Sequence, residues 1–224
     1  MAESTRGAAM LALLALVTGA AAAAPVMDFV PPAAGSYRLE RIQPASDGQV
    51  LDSSGRLRRL AEFVGGRRIT LLTFMYGSCA DPGGCPYAMT VMHHLKHDLE
   101  RIPGAAARVN FVSLSFDPQR DTPTAMAQHE QGHGDHDGGL PWHFLTTRSR
   151  LELLPIRDSY GQDVGINLDA ATGKPTGAYS HVLKVFLVDR HGAVREIYTT
   201  AFLLPAVVFN DIRTLMMEEE VAHR

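Results

Sequence analysis

Cysteine is almost missing from this chain of 224 residues, which carries two, Cys79 and Cys85. Two is too few for the dense cross-linking that holds small secreted scaffolds together. Lysine is also scarce, three residues against eighteen arginines, and the formal net charge is -3. No basic field exists to collect phosphates, so nothing points to nucleic acid as a partner. A charged fraction of 20% rules out a polytopic membrane protein, and a hydrophobic fraction of 46% rules out general disorder. No internal repeat is visible, and the length suits one domain with a sizeable core. Histidine is the exception to this sparseness: there are ten, and His129, His133 and His136 fall in one eight-residue stretch. The composition therefore points to thiol or metal chemistry.

Residues 1–24 read as an address. Arg6 precedes an apolar run over 8–17, the length of a signal h-region, and Ala20-Ala21-Ala22 and Ala22-Ala23-Ala24 both satisfy the small-x-small cleavage rule. The competing reading is an uncleaved anchor, because residues 7–24 carry no charge; it would be the chain's sole membrane contact. In both cases the remainder is exported. The arginine bias fits a GC-rich bacterial source and hence a periplasm, where disulfides are permitted and soft metals are met.

Residues 25–60, with four prolines and little periodicity, read as an extended arm with one hairpin around Asp47-Gly48 and Ser54-Gly55. The domain proper, 61–224, opens on a continuous β-rich apolar run over 68–76, the mark of a strand buried on both faces. A helix is expected over 86–102, with Met89, Met92, Leu95, Leu99 and Ile102 on one face. A second buried strand follows at 109–116, and Thr122-Pro123 opens a helix as cap and first residue. The Gly-, His- and Asp-rich stretch 128–139 reads as a loop. Further elements are a strand at 142–145, a helix at 149–160, a strand at 182–188 with a hairpin partner at 193–198, and a last helix at 204–221. Strand–helix–strand–helix, then a β-hairpin and a helix, is an α/β layer arrangement with a mixed central sheet, as in thioredoxin-like domains.

The two cysteines lie between the first buried strand and the first helix. Cys85 falls at the expected N-cap with Pro86 at the first helical position, where free amide groups and the helix dipole favour thiolate. Thiolate is both nucleophile and soft metal ligand. Asp81-Pro82-Gly83-Gly84 is turn chemistry that folds the intervening loop back and brings the sulfurs together. A purely structural disulfide is the plainer alternative. Closing so short a loop stabilises by roughly 2.4 kcal/mol, toward the low end for disulfides.

Phe74-Met-Tyr-Gly-Ser-Cys79, Cys85-Pro86, then Ser113-Leu-Ser-Phe-Asp117-Pro-Gln-Arg-Asp121-Thr-Pro123, then Ser180-His181 before a strand, resemble the Sco/SenC family. The resemblance spans roughly residues 45–220. It implies an exported copper-binding protein of thioredoxin-like fold that assists assembly of the copper centre of cytochrome oxidase. The family's metal site, two cysteines and a distant histidine, maps onto Cys79, Cys85 and His181. One departure stands out: five residues separate the cysteines here, where the family pattern usually has three.

Two thiolates and one imidazole form a soft set suited to Cu(I), and the imidazole also tolerates Cu(II). The implied partners are a copper-accepting protein such as a cytochrome oxidase subunit and a periplasmic thiol reductant. His129, His133 and His136 read either as an accessory metal tract or as a solvated loop. His93 and His97, one turn apart, read as the polar side of a helix. Asp117 to Pro123 is explained mostly by Thr122 capping, and Met89, Met92, Met216 and Met217 as core fillers. The alternative to a copper carrier is a thiol–disulfide oxidoreductase, although redox enzymes of this fold favour C-x-x-C.

Overall fold

The apolar runs become the centre of a six-stranded sheet. A computed structural model describes residues 29–133 and 139–222; the segment 1–24 and His136 lie outside the described residues. The first elements are β1 (Gln43–Pro44), β2 (Gln49–Leu51), β3 (Leu57–Arg59) and a single 3-10 turn, Leu60–Glu62. There follow β4 (Ile69–Met75), α1 (Cys85–Glu100), α2 (Ala105–Arg108), β5 (Val109–Ser115), α3 (Pro123–His133) and β6 (Trp142–Leu145). The chain then forms α4 (Arg150–Ser159), β7 (Val164–Leu168), β8 (Pro175–His181), β9 (Lys184–Val188), β10 (Ala193–Thr199) and α5 (Pro205–Ala222).

The main sheet has the order β1-β10-β9-β4-β5-β6. β4, β5 and β6 run parallel, joined by crossovers through α1 and α3, while β9 returns antiparallel to β4 and β10 to β9. This is the mixed α/β, thioredoxin-like sheet that the order of elements foretold. Every residue of β4 and β5 is buried, which is why both read as unbroken apolar runs. The register sets Leu71 beside Phe111 and Thr73 beside Ser113 on one face, with Leu72 beside Val112 and Phe74 beside Leu114 on the other. The first face packs Phe111 edge-on to Trp142 at 5.6 Å; the second packs Phe74 against Tyr160 at 5.5 Å and Phe186 at 6.1 Å. Along α1, Met92, Leu95 and Leu99 are buried, and Met89 and Ile102 pack partly against the core.

The arm is tied down from Gly35 onward. β2 and β3 form the expected hairpin, its turn held by Asp52 accepting from the Ser54 and Arg56 amides, both at 3.0 Å. Ahead of it, Gly35 donates to Thr214 Oγ1 at 3.0 Å and the Tyr37 hydroxyl donates to Asp211 on α5. Tyr198 donates to the same carboxylate at 2.7 Å, and burial pushes Asp211 above the ordinary aspartate range. β1 was not expected; it pairs with β10 at the sheet edge.

Three expectations need correction. The strand expected at 182–188 begins at Lys184, because residues up to His181 belong to a separate two-stranded sheet, β7–β8. That hairpin occupies a stretch between the expected helix at 149–160 and the expected strand, where no element was expected. It went unseen because its strand β7 is almost entirely exposed and carries no alternating apolar pattern. The loop expected from 128 is helical as far as His133, so His129 and His133 sit one turn apart on α3.

The central position of Leu72 makes a direct test. Leu72→Ala should lower unfolding free energy by about 2–5 kcal/mol, whereas Leu151→Ala, at a residue 78% exposed, should change it by no more than about 0.5 kcal/mol. Urea denaturation measures both, and equal losses would contradict the register.

Candidate metal centre

The site is built where β4 ends and α1 begins. Cys79 lies in the connecting loop, its amide donating to the Tyr76 carbonyl at 3.2 Å. Asp81 folds the five intervening residues back: its carbonyl accepts from the Gly84 amide and its Oδ1 from the Gly83 amide, both at 3.0 Å. Gly84 is the helix cap and Cys85 the first helical residue, so the helix starts one position earlier than expected. The third member arrives from the hairpin, as His181 is the last residue of β8. One ligand atom from each of Cys79, Cys85 and His181 lies within 4.8 Å of the others, the one such cluster of three among the described residues.

The surroundings of the cluster are apolar. Phe116 stands edge-on to His181 at 4.9 Å and Tyr76 at 6.2 Å, and Tyr179 meets both aromatic rings at 5.5 and 5.1 Å. His181 Nδ1 is buried with no hydrogen-bond partner. A buried nitrogen left unpaired is costly, which is the expected state of a ligand atom awaiting an ion. Burial lowers the His181 pKa, favouring the neutral imidazole, against the smaller opposing influences of the Val182 backbone and Asp81. Burial also pushes the Cys85 thiol up to about 12, and the neighbouring Cys79 adds to the effect. This reverses the expectation that the helix terminus makes Cys85 a ready thiolate. The sulfur is buried, and loss of water outweighs the dipole.

Residues outside the motif's cysteines hold the site in place. The Ser115 hydroxyl donates to Asp121, which accepts the Gly77 amide at 2.9 Å and so fixes the loop leading to Cys79. A side chain on Gly77 would lie 2.8 Å from Asp121 Oδ1, leaving room for glycine alone. Asp117, fully buried, pairs with Arg120 and lies 3.5 Å from Arg150. The two guanidinium groups stand 5.4 and 5.5 Å from the centre of the Tyr179 ring, two residues before His181. Arg150 also donates to the Tyr179 hydroxyl, and Arg120 to the Gly177 carbonyl. Thr122 does cap α3, through the Ala125 amide at 3.4 Å. The stretch from Asp117 to Pro123 therefore does more than cap a helix. Nothing in the sequence marks Arg150 or Tyr179; a buried acid is recognisable only once the fold has covered it.

The other histidines divide. His133 at the end of α3 is in hydrogen-bond contact with His93 of α1, and the rings of His129 and His133 stack at 6.2 Å. His93, read as an ordinary polar residue, is thus joined to the tract. His97 is exposed beside Asp98, and His136 lies outside the described residues.

The family model described as SCO1/SenC matches residues 43–217. The protein SCO2 homolog of mitochondria in Bos taurus is 28% identical over 170 residues, which is 73% of this chain and 58% of that relative. This chain therefore spans little more than half the length of that protein. Among solved structures, apo Sco1 of Thermus thermophilus matches with a TM-score of 0.64 and 21% identity, covering 81% of this chain and 99% of that one. ScoI of Arabidopsis thaliana, solved with copper bound, matches with a TM-score of 0.62 and 16% identity, over 78% of this chain and 98% of its own. At these identities the structural likenesses establish the fold.

Burial of Cys85 sets a pH signature. In a Cys79→Ser variant, alkylation of Cys85 by iodoacetamide should climb about tenfold per pH unit beyond pH 10, because only thiolate reacts. Mass spectrometry of the Cys85 peptide follows it; a plateau below about pH 9, the range of an ordinary thiol, would contradict the buried environment.

Proposed function

The chain belongs to the SCO1/SenC family, and from that premise we propose that it is an exported copper carrier that binds Cu(I) through Cys79, Cys85 and His181 and passes it to a partner protein. The observation that carries this reading is the convergence of two sulfurs and one imidazole nitrogen within 4.8 Å, from a loop, a helix start and a separate hairpin. A soft, three-donor set of this kind favours Cu(I); Zn(II) wants a fourth ligand for a closed tetrahedron. The neutral imidazole and its unpaired Nδ1 support the same reading.

Loading releases protons. Cu(I) displaces the two thiol protons to solvent and no electron moves, so copper supplies the energy that the raised Cys85 pKa withholds from spontaneous ionisation. If the pair has oxidised to a disulfide, it must first take two electrons and two protons from a thiol reductant, which leaves as its own disulfide. Thiol–disulfide exchange is therefore linked to the same site. Burial of Cys85 weighs against its being the attacking nucleophile of a general oxidoreductase.

Delivery supports a docking rim. Val182 directly follows His181 and is 59% exposed; Phe202 is 64% exposed, close after Thr200, whose hydroxyl donates to the Gly83 carbonyl at 3.4 Å. Apolar side chains beside the mouth suit transient contact with a copper-accepting protein, a cytochrome oxidase subunit being the recipient that family membership favours. Export through residues 1–24, whether as signal or anchor, belongs to the same proposal.

Copper titration of the reduced protein against a calibrated chelator tests it. One Cu(I) should bind, and His181→Ala, Cys79→Ser and Cys85→Ser should each weaken it by more than the about 10–100-fold typical of losing an outer-shell partner. Binding no tighter than about 1 μM and unchanged in the variants would overturn the assignment.

A further inference from the structure

His93 and His133 are 40 residues apart in the chain, yet their Nε2 and Nδ1 atoms are in direct contact. α1 and α3 are the two crossovers that leave and rejoin the parallel strands β4, β5 and β6, and each contributes one ring at the same level. The shelf beneath them is aromatic. Trp142 meets His93 at 5.1 Å and His133 at 5.7 Å, and its own indole N–H is engaged by Ser113 Oγ at 3.0 Å. The two rings are half-buried on this shelf, with His93 Nε2 and His133 Nδ1 turned toward one another. Lys96, the nearest cation on α1, is paired with Glu100.

The geometry points to a second metal site, in which His93 Nε2 and His133 Nδ1 chelate one borderline divalent ion, Cu(II) or Zn(II). Two facing imidazoles share either a proton or an ion. An ion at a metal–nitrogen distance of about 2.0–2.1 Å sets the two nitrogens about 3 Å apart, a small opening from their present contact. Imidazole is the donor common to Cu(II) and Zn(II), and water completes the shell on the open side. No thiolate takes part, so this site is chemically distinct from the cysteine centre and selects the harder oxidation state. It is also near that centre. His129 stacks on His133 at an interplanar angle of 17°, and its Nε2 would lie 3.2 Å from a side chain placed on Gly77, at the base of the cysteine loop. A row of imidazoles thus runs from the surface between α1 and α3 to the loop that bears Cys79.

The test separates this site from the one proposed above by removing the latter. The full chain carrying Cys79→Ser, Cys85→Ser and His181→Ala is titrated with Cu(II) alone, and separately with Zn(II) alone. One equivalent of Cu(II) should bind, with nitrogen superhyperfine structure in its electron paramagnetic resonance spectrum. Adding His93→Asn or His133→Asn should weaken binding at least about tenfold, a loss of about 1.4 kcal/mol, while His94→Ala leaves it unchanged. Asparagine keeps a polar side chain on the shelf, and far-ultraviolet circular dichroism verifies the fold of each variant. An ion that binds equally well without His93 and His133, or that is lost equally with His94, would overturn the site. So would the absence of stoichiometric binding by the triple variant. None of these outcomes depends on whether the cysteines bind Cu(I).

Discussion

Two buried carboxylates set the geometry on which the cluster of sulfur and nitrogen depends. Asp121 grips the Gly77 amide and the Ser115 hydroxyl, joining the ends of the parallel strands β4 and β5. Asp117, four residues earlier, engages Arg120 and Arg150, which reach to the hairpin. Buried charge is costly unless it is paired and hydrogen-bonded, so neither acid tolerates loss of its partners, and the three segments they join are held at fixed spacing. Arginine suits this work better than lysine. Its planar group lies over the Tyr179 ring while its N–H groups address a carboxylate, a hydroxyl and a carbonyl. The chain's preference for arginine thus has a structural use at this one place.

Local and tertiary forces disagree at Cys85. Seen along the chain, a sulfur at a helix start beside proline belongs to the reactive kind. Seen in the fold, it is buried beside a second sulfur and a tyrosine, and its thiol is held in the protonated form. The outcome is a thiol that resists air, alkylators and stray disulfides more than a solvent-exposed one, and that would release its proton to solvent only when a strongly binding soft cation takes the proton's place. The tight turn at Asp81 allows five residues where three are usual without separating the sulfurs.

The central sheet was legible because its strands are buried on both faces and so announce themselves as apolar runs at 69–75 and 109–115. The helix face of Met92, Leu95 and Leu99 was legible by its period. Cys79, Cys85 and His181 were legible through family resemblance, which links residues that periodicity cannot. What stayed hidden has a common physical character. The β7–β8 hairpin lacks an apolar stripe, so no pattern betrays it. His93 and His133 meet only because two crossovers share one aromatic floor, and Arg150 finds Tyr179 across 29 residues. These are contacts of the assembled fold, between residues whose local sequence is unremarkable.

The hairpin gives the cluster an uneven mechanical footing. Two of its donors are rooted beside the main sheet, whose opening approaches global unfolding, while the third rides on a two-stranded appendage with mostly exposed residues. Such appendages open at far lower free energy than the body they decorate. An ion held by all three side chains would then lose its imidazole when the appendage opens, with the two cysteines and the domain that bears them left in place.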